Sequence, residues 1–477
     1  MSFLDELQKQ TNKTYTENGA VTNKSTLNPV LDFFSLAGAM RENPSQAIQL
    51  FENAFNTDKQ AAIRCLFYLR DIRGGQGERR LFVECFKRLN EIDPKTANWC
   101  LHYIPTYGRW DEVLAVAKGN PTAVELIKTQ LGFDEAALAK NEAVSLLAKW
   151  LPSENTSSQK TSNLAKYLAK ELGLKPAQYR RKVVALRKHI KLLEQKMSNR
   201  EWKDIDYSKL PSQAQRKHTK AFKRHDEERY EAYLEAATKG EAKMNTSTLY
   251  TYEVFDKVAE GDETAANAMW ANLPDYTNGN DALVVADVSG SMTGRPMSVS
   301  VSLALYFAER NKGIFKDCFM TFSERPQVLK LAPGGTLTTK LRAIQSAPWG
   351  YNTNLEAVFM TLLVAAQANG GTQEGMPKVL YIISDMEFDQ AMNRPSETIL
   401  ENAKAAFKNA GLELPHVVFW NVNARQIQAP GTKFDNRVTL ISGLSQSTFR
   451  YAVEGKTPEE LMAEVLNSER YSDIVLS

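Results

Sequence analysis

The sequence predicts a multidomain protein, with an all-α N-terminal part followed by an α/β domain on a doubly wound, mostly parallel sheet. The chain has 477 residues, enough for two or three domains with separate cores. Residues 29 to about 150 carry apolar side chains at helical spacing, whereas after residue 280 short apolar runs alternate with helical segments. The composition, 43% hydrophobic and 24% charged, is typical of a soluble globular protein.

The N-terminal part reads as one helix after another. The first predicted helices are NPVLDFFSLAGAM, NPSQAIQLFENAF and DKQAAIRCLFYLRDI. Gly74 and Gly75 stop the helical pattern, which restarts in RRLFVECFKRL. Such a succession predicts stacked helical pairs of the HEAT-like repeat kind. The glycines of GGQGERR lack the Lys-Ser/Thr ending of a phosphate-binding P-loop, so we interpret them as a helix cap and turn.

The C-terminal part alternates strands and helices. Predicted strands are DALVVAD, FKDCFMTF, KVLYIISD, HVVFWNV and VTLISG, and predicted helices are MSVSVSLALYFAERN, LEAVFMTLLVAAQA and ETILENAKAAFKNAG. We therefore predict four segments: an N-terminal extension (1–28), a helical-repeat module (29–155), a basic helical continuation (156–278) and the α/β domain (279–477). Binding sites of such sheets lie at the carboxyl ends of the strands, where Asp287 and Asp385 both stand.

The stretch ALVVADVSGSM leads from an apolar strand directly into Asp287, Ser289 and Ser291. Alternate side chains of an extended segment project to the same side, so this trio can converge. Thr353 precedes a predicted helix and Asp385 ends another predicted strand. Carboxylates with neutral hydroxyls are hard oxygen ligands, which suit Mg²⁺ or Mn²⁺ better than zinc. We predict that these five residues bind Mg²⁺ or Mn²⁺ and leave a coordination position open for a carboxylate or another anionic ligand.

Two catalytic alternatives fit this site less well. A serine hydrolase needs Gly-x-Ser-x-Gly and a base, but VSGSM lacks the first glycine and His416, the only histidine of this half, opens another strand. A phosphatase with an aspartyl nucleophile usually has a second acid where this chain has Ser289. A turn or helix cap explains Ser289 or Ser291 singly, but not their coincidence with Thr353 and Asp385. We therefore predict that the protein is not an enzyme.

The net charge of +3 conceals a strongly basic region, residues 160–224, with 19 Lys and Arg against 5 Asp and Glu. On a helical wheel the apolar side chains of its central helix, which are Val183, Leu186, Ile190, Leu193 and Met197, fall in one arc. The cations Arg180, Arg181, Arg187, Lys188 and Lys191 fall in another. Four aromatic residues, Tyr179, Trp202, Tyr207 and Phe222, interleave with further cations, a combination typical of single-stranded nucleic acid binding. The alternative is a solvated helix with the aromatic rings in its core.

A second basic cluster consists of Arg70, Arg73, Arg79 and Arg80, which extends the same polyanion-binding surface if the helices stack suitably. The four cysteines form no CxxC pair and the five histidines no HExxH motif, so neither disulfides nor zinc are indicated. The first residues, MSFLDELQKQ, do not resemble a secretory signal, and no stretch approaches the ~20 apolar residues of a membrane span. We expect a soluble, cytoplasmic protein.

The motifs DVSGSM, NTN and SDMEF together resemble the metal-ion-dependent adhesion site (MIDAS) of a von Willebrand factor type A domain, whose pattern is Asp-x-Ser-x-Ser with a distant Thr and a distant Asp. The resemblance covers roughly residues 281–477. It implies that the ion, usually magnesium, binds a ligand's carboxylate without catalysis. It also implies that Asp287, Ser289, Ser291, Thr353 and Asp385 are direct or water-mediated ligands.

The helical half followed by such a domain resembles the TROVE-module ribonucleoproteins of the Ro autoantigen group. The segments LRDIRGGQGERRLF and YIPTYGRWDEVL resemble helix ends of that module, and AKWLPSE, YRRKVVALRKHI and SDMEFD are similar to a poorly characterised TROVE-like family. The resemblance implies binding of small structured RNAs and single-stranded RNA ends. About 250 residues precede the A-like domain, fewer than in the autoantigen itself.

Two function classes follow. The first is an RNA-binding, ribonucleoprotein-like protein, whose basic helical face contacts single-stranded or misfolded small RNA and whose A-like domain docks a ligand through a metal. The second is a metal-dependent adaptor that grips a partner's carboxylate, as a cofactor of an ATPase machine for example, without binding RNA. The first predicts steeply salt-dependent RNA binding through the basic helix, and the second predicts none.

Overall fold

The computed structural model describes residues 2–190, 192–277, 281–322, 325–345, 352–392, 394–451 and 456–476. The chain forms two compact units. The first, called the sheet unit here, consists of Met1–Phe82 and Leu234–Val475. The second, the helical unit, consists of Val83–Tyr233 and Leu476–Ser477. No helix of the described ranges is long and apolar enough to cross a membrane.

The helices are α1 Phe3–Thr11, α2 Pro29–Leu36, α3 Pro44–Thr57, α4 Lys59–Arg70, α5 Arg79–Ile92, α6 Pro94–Cys100, α7 Ile104–Tyr107, α8 Trp110–Val116, α9 Pro121–Ala139, α10 Leu147–Trp150, α11 Gln159–Glu171, α12 Pro176–Ile190, α13 Leu193–Ser198, α14 Ser212–Lys217, α15 Thr219–Thr238, α16 Thr251–Ala259, α17 Glu263–Ala271, α18 Arg295–Arg310, α19 Leu337–Gln345, α20 Leu355–Ala368, α21 Ile399–Asn409, α22 Pro458–Leu466 and α23 Glu469–Ser472. The strands are β1 Lys13–Tyr15, β2 Val21–Asn23, β3 Ala282–Ala286, β4 Cys318–Thr321, β5 Val328–Lys330, β6 Val379–Ser384, β7 His416–Asn421 and β8 Val438–Ser442.

Six strands of the sheet unit form one sheet in the order β5-β4-β3-β6-β7-β8. All neighbouring strands are parallel except β4 and β5, which are antiparallel. The five parallel strands coincide with the five predicted from apolar runs, which confirms the combination of a helical part with a mostly parallel α/β sheet. The short edge strand β5 was not predicted, because its side chains are largely exposed and give no apolar run.

Helices cover both faces of this sheet. On one face, α20 and α21 contribute Val358, Phe359 and Phe407 to a core that includes Leu283 and Ile382 of the central strands. On the other face α18 packs through Phe307, whose ring centroid lies 4.8 Å from that of Tyr381. Because both faces are buried, β3, β6, β7 and β8 consist entirely of buried residues.

The N-terminal residues are part of the sheet unit. Strands β1 and β2 form an antiparallel hairpin, and isolated bridges join Gly19 to Asp389 and Asn23 to Ala429. Helix α2 packs against β8 and α22. The compact units change at residues 82 and 233, whereas the predicted boundaries are at residues 28, 155 and 278.

The loop that contains Gly74 and Gly75 connects α4 to α5, so the helical pattern stops as predicted. Its first residue, Asp71, is 1% exposed and accepts hydrogen bonds from the backbone N–H groups of Arg73 and Gly74 at 2.9 and 3.1 Å. It also accepts bonds from the Arg470 guanidinium and the Tyr471 hydroxyl. The loop is therefore an element that fastens α4 to the C-terminal segment.

Within the helical unit, α12 ends at Ile190 and α13 begins at Leu193, so the predicted apolar arc from Val183 to Met197 lies on two helices. Val183 and Leu186 are buried, in agreement with the predicted docking side. The four cysteines of the chain, all among the described residues, are buried and form no disulfide with one another.

Candidate metal and anion sites

Two aspartates end adjacent parallel strands of the sheet. Strands β3 and β6 pair in a register that places Ala286 opposite Ile383, and the backbone N–H of Asp287 donates to the Ile383 carbonyl at 3.0 Å. Asp287 and Asp385 are the first residues after these two strands. Since the carboxyl ends of parallel strands share one edge, the two carboxylates come together there, as the sequence predicted.

The two serines of the DVSGSM motif join this pair. The backbone N–H of Ser289 donates to Asp287 Oδ1 at 2.9 Å, and the Ser289 and Ser291 hydroxyls are hydrogen-bonded at 2.9 Å. The Ser291 hydroxyl is close enough to Asp385 to lower the pKa of that carboxyl. Four of the five predicted ligands, Asp287, Ser289, Ser291 and Asp385, therefore form one group of oxygen atoms at the sheet edge.

The two carboxyl groups are buried. Asp287 is fully buried, and this burial, reinforced by the neighbouring charge of Asp385, raises its pKa to about 6. Burial likewise raises the pKa of Asp385, which is 1% exposed. Within the described residues, Asp385 Oδ2 has no hydrogen-bond partner. A buried ionised pair of this kind is costly, and a divalent cation bound between the two charges would offset the cost.

The residues of this cluster fit a hard cation that has hydroxyl oxygens among its ligands. The part of the chain that the structure describes contains no cluster of three or more His, Cys, Asp or Glu side chains able to hold a metal. The predicted set has only two carboxylates, and its remaining oxygens come from hydroxyl groups, which suit Mg²⁺ or Mn²⁺ rather than zinc.

Thr353, the fifth predicted ligand, lies just before α20 and contacts the loop that follows Asp385. Its hydroxyl is hydrogen-bonded to the Glu387 carbonyl at 2.9 Å and to Asp389 Oδ1 at 3.0 Å, and its backbone N–H donates to Asp389 Oδ2 at 3.0 Å. Thr353 is 1% exposed. Thr353 therefore lies beside the loop that carries Asp385, but its hydrogen bonds go to Glu387 and Asp389 of that loop.

The structure adds residues that the motif search missed. Ser384, the last residue of β6, donates its hydroxyl proton to Asp287 Oδ2 at 2.5 Å. Arg425 donates to the Ser291 carbonyl at 3.2 Å. Glu387 is buried and accepts from Gln428 Nε2 at 2.8 Å. The alternating acids of SDMEFD are a local signal that could have identified Glu387, whereas nothing local in the sequence identifies Arg425.

The four arginines of the second basic cluster, defined above by Arg70, Arg73, Arg79 and Arg80, differ in exposure. Arg73, Arg79 and Arg80 are exposed, whereas Arg70 is only 5% exposed. The expectation that all four lie on an anion-binding surface is therefore corrected for Arg70, which is buried as the last residue of α4. All four belong to the sheet unit, whereas the predicted cations of the basic region 160–224 belong to the helical unit.

The predicted cations from Arg180 to Lys188 are on α12. Arg180, Arg181 and Lys188 are exposed, and within the described part of the chain none of them forms an ion pair. Arg187 differs, because its guanidinium donates to the carbonyls of Ala148 and Leu151 at 2.8 and 2.5 Å and to Ser153 Oγ at 2.9 Å. Arg187 therefore holds the polar segment that precedes α11. Lys191 lies outside the described residues.

Most of the interleaved aromatic residues are in the core. Tyr179, Tyr207 and Phe222 are 1%, 3% and 0% exposed. Only Trp202 of the predicted four is partly exposed, and its ring stacks on His225 at 4.4 Å. The expectation of several base-stacking rings among the cations is therefore corrected, because the three buried rings pack inside the helical unit.

Fold and site together define a multidomain protein, helical and α/β, with a carboxylate and hydroxyl cluster at the carboxyl edge of its sheet. The chain belongs to the family described as Domain of unknown function (DUF2828), whose model matches residues 16–108 and 122–282. Residues 281–473 match a second model, Domain of unknown function (DUF7788). The chain is 30% identical over 508 residues to Uncharacterized protein L728 of Acanthamoeba polyphaga mimivirus, a match that covers 97% of this chain and 86% of that protein.

Proposed function

We propose that this protein is a non-catalytic docking protein whose sheet unit binds Mg²⁺ or Mn²⁺ and, through that ion, a carboxylate of a partner protein. The observation that carries the proposal is the pair of buried carboxyl groups, Asp287 and Asp385, at the edge of the parallel sheet, with Asp385 Oδ2 unpartnered in the described structure. A cation bound between these two carboxylates would balance their negative charge.

The ligands would be Asp287, Ser289, Ser291 and Asp385, directly or through water, with Thr353 acting from the neighbouring loop. Two carboxylates leave a bound divalent ion without excess negative charge around it, so the ion keeps affinity for a further anionic oxygen. This arrangement is the one expected of a von Willebrand factor type A domain, and we include that fold assignment in the proposal. The proposal also includes a TROVE-like helical part made of HEAT-like repeats, and a cytoplasmic location.

Direct measurement of Mn²⁺ binding by electron paramagnetic resonance tests the metal site. The wild-type chain is expected to bind one Mn²⁺, which Mg²⁺ displaces, and Asp287→Asn and Asp385→Asn are each expected to abolish that binding. Asp58→Asn is the matched control, because Asp58 is the exposed N-cap of α4, where Asn serves equally well. Unchanged Mn²⁺ binding in Asp287→Asn would refute the site.

RNA binding by the helical unit is the second candidate function. It is favoured by the exposed side chains of Arg180, Arg181 and Lys188 on α12, which make no ion pair within the described residues. Lys166 and Lys170 of the adjoining helix α11 are also exposed. Such a surface suits phosphate groups, although the buried aromatic rings give little support to base stacking.

Binding to a pool of single-stranded RNA tests this second function. The triple substitution Arg180→Glu, Arg181→Glu, Lys188→Glu is expected to remove binding that falls steeply with salt. A control of equal charge change, Lys87→Glu, Lys95→Glu, Lys128→Glu, alters exposed lysines of the same unit and should retain it. If the wild-type protein binds no RNA at moderate salt, only the docking function stands.

A further inference from the structure

The turn between β1 and β2 packs against the loop that carries Asp385. The backbone N–H of Glu17 donates to Glu387 Oε2 at 2.7 Å. Asn18 Nδ2 donates to the Glu387 carbonyl at 2.7 Å and to Thr353 Oγ1 at 3.2 Å, and the Asn18 carbonyl accepts from the Gln390 backbone N–H at 3.2 Å. Four hydrogen bonds thus fix the turn beside the predicted metal ligands Thr353 and Asp385.

Arg425 connects the side chain of this turn to the DVSGSM motif. Its Nη1 donates to Glu17 Oε2 at 2.6 Å, and its Nη2 donates to the Ser291 carbonyl at 3.2 Å. One guanidinium therefore spans the distance between the Glu17 carboxylate and the backbone of a predicted ligand.

The ion pair between Glu17 and Arg425 can break, so that each side chain can bind another group. The Glu17 side chain is 39% exposed and that of Arg425 is 38% exposed, so neither is confined by packing. Ion pairs as exposed as this one contribute little to stability. A divalent ion at the cluster would therefore compete effectively with Arg425 for the carboxylate of Glu17.

We infer that Glu17 is a ligand, supplied by the chain itself, for the open coordination position of the metal site. Arg425 binds the Glu17 carboxylate whenever Glu17 is not bound to the ion. This inference depends on the proposed metal site. The partner's carboxylate must displace Glu17 from the ion, and Arg425 receives Glu17 when it leaves. The hairpin turn is thus a competitor within the chain that lowers the site's affinity for weak acidic partners.

Two single variants with opposite expected effects test this inference, with Mn²⁺ as the probe. Glu17→Gln should weaken Mn²⁺ binding by about fivefold, because the ion loses a charged ligand. It should also increase the water proton relaxation caused by the bound Mn²⁺, because water takes the vacated position. Arg425→Met should strengthen Mn²⁺ binding by about threefold, because Glu17 is released to the ion.

The double variant separates release of Glu17 from a general effect of removing a positive charge. If Arg425 acts by holding Glu17, Arg425→Met should lose most of its effect in a Glu17→Gln background. Equal strengthening in both backgrounds, or no change in relaxation in Glu17→Gln, would overturn the inference.

The proposed function and this inference fail in different ways. Absence of Mn²⁺ binding in the wild-type chain, or its persistence in Asp287→Asn, counts against the metal site itself. If Mn²⁺ binding requires Asp287 but does not change in Glu17→Gln, the metal site stands. Only the role of the hairpin turn is then refuted.

Discussion

The hydroxyl of Ser384 donates a hydrogen bond of 2.5 Å to Oδ2 of Asp287 on the neighbouring parallel strand. The same hydroxyl oxygen accepts a bond from the backbone N–H of Met386 at 3.0 Å. Ser384 thereby orients the Asp287 carboxylate and anchors the loop that carries Asp385. A residue that is not itself a predicted ligand thus holds both carboxylates in place.

Replacing Ser384 by Ala is expected to weaken Mn²⁺ binding by about 10-fold, the usual effect of losing a group that orients a metal ligand. Ser300→Ala is the matched control, because the Ser300 hydroxyl is also buried and bonds the Ile383 carbonyl at 3.1 Å instead of Asp287. Calorimetric titration with Mn²⁺ measures both variants. Equal losses in the two would mean that the effect is one of general stability.

Arg187 is expected to stabilise the helical unit. Arg187→Ala should lower the free energy of unfolding by about 2–3 kcal/mol, because three acceptors of the segment 148–153 lose their donor. Arg181→Ala, on the exposed side of the same helix, should change it by less than about 0.5 kcal/mol. Urea unfolding compares the two. An unaffected Arg187→Ala variant would contradict the structural role assigned to this guanidinium.

Gly75 is expected to be irreplaceable in the loop between α4 and α5. A Cβ atom at this position would overlap the carbonyl oxygen of Tyr68, which is backbone and cannot move aside. Gly75→Ala should therefore cost about 3 kcal/mol or more of folding free energy. Gly132→Ala is the control, because no neighbouring atom lies within 4 Å of its added Cβ and alanine favours helix α9 by about 1 kcal/mol. Thermal unfolding of both variants checks this, and a stable Gly75→Ala protein would contradict it.

His416 is expected to make folding stability depend on pH. It is fully buried with its Nε2 2.8 Å from Thr439 Oγ1, and burial lowers its pKa to about 4. The unfolded chain takes up a proton near pH 6.5 and the folded chain only near pH 4, so the stabilisation is complete above pH 6.5 and is lost as the pH falls towards 4.

The loss should amount to about 3 kcal/mol relative to His416→Gln, which keeps a donor towards Thr439 but does not titrate. Denaturant unfolding of both proteins between pH 7 and 4 measures the difference. Parallel curves for wild type and His416→Gln would disprove the effect.

The strands of the α/β part were predictable because each of β3, β6, β7 and β8 is buried on both faces and therefore appears as a continuous apolar run. The closeness of Asp287 and Asp385 followed from the same pattern, since both follow such strands. In contrast, β1 and β2 have three residues each and lacked a recognisable apolar pattern.

Partners distant in sequence were not predictable. The Glu17–Arg425 pair joins positions 408 residues apart, and the Asp71–Arg470 pair joins positions 399 residues apart. Charge alone also failed to separate Arg181 from Arg187, because both are cations on one helix and only packing decides which one faces backbone carbonyls.

The sequence by itself determined the helical N-terminal segments, the mostly parallel sheet and the oxygen-rich motif around Asp287, because each depends on local apolar spacing or on neighbouring residues. Only the tertiary structure decided that residues 1–82 pack with the sheet, that Ser384 orients Asp287, and that Glu17 and Arg425 meet beside the motif. These relationships arise from long-range chain packing, which leaves no periodic signal in the sequence.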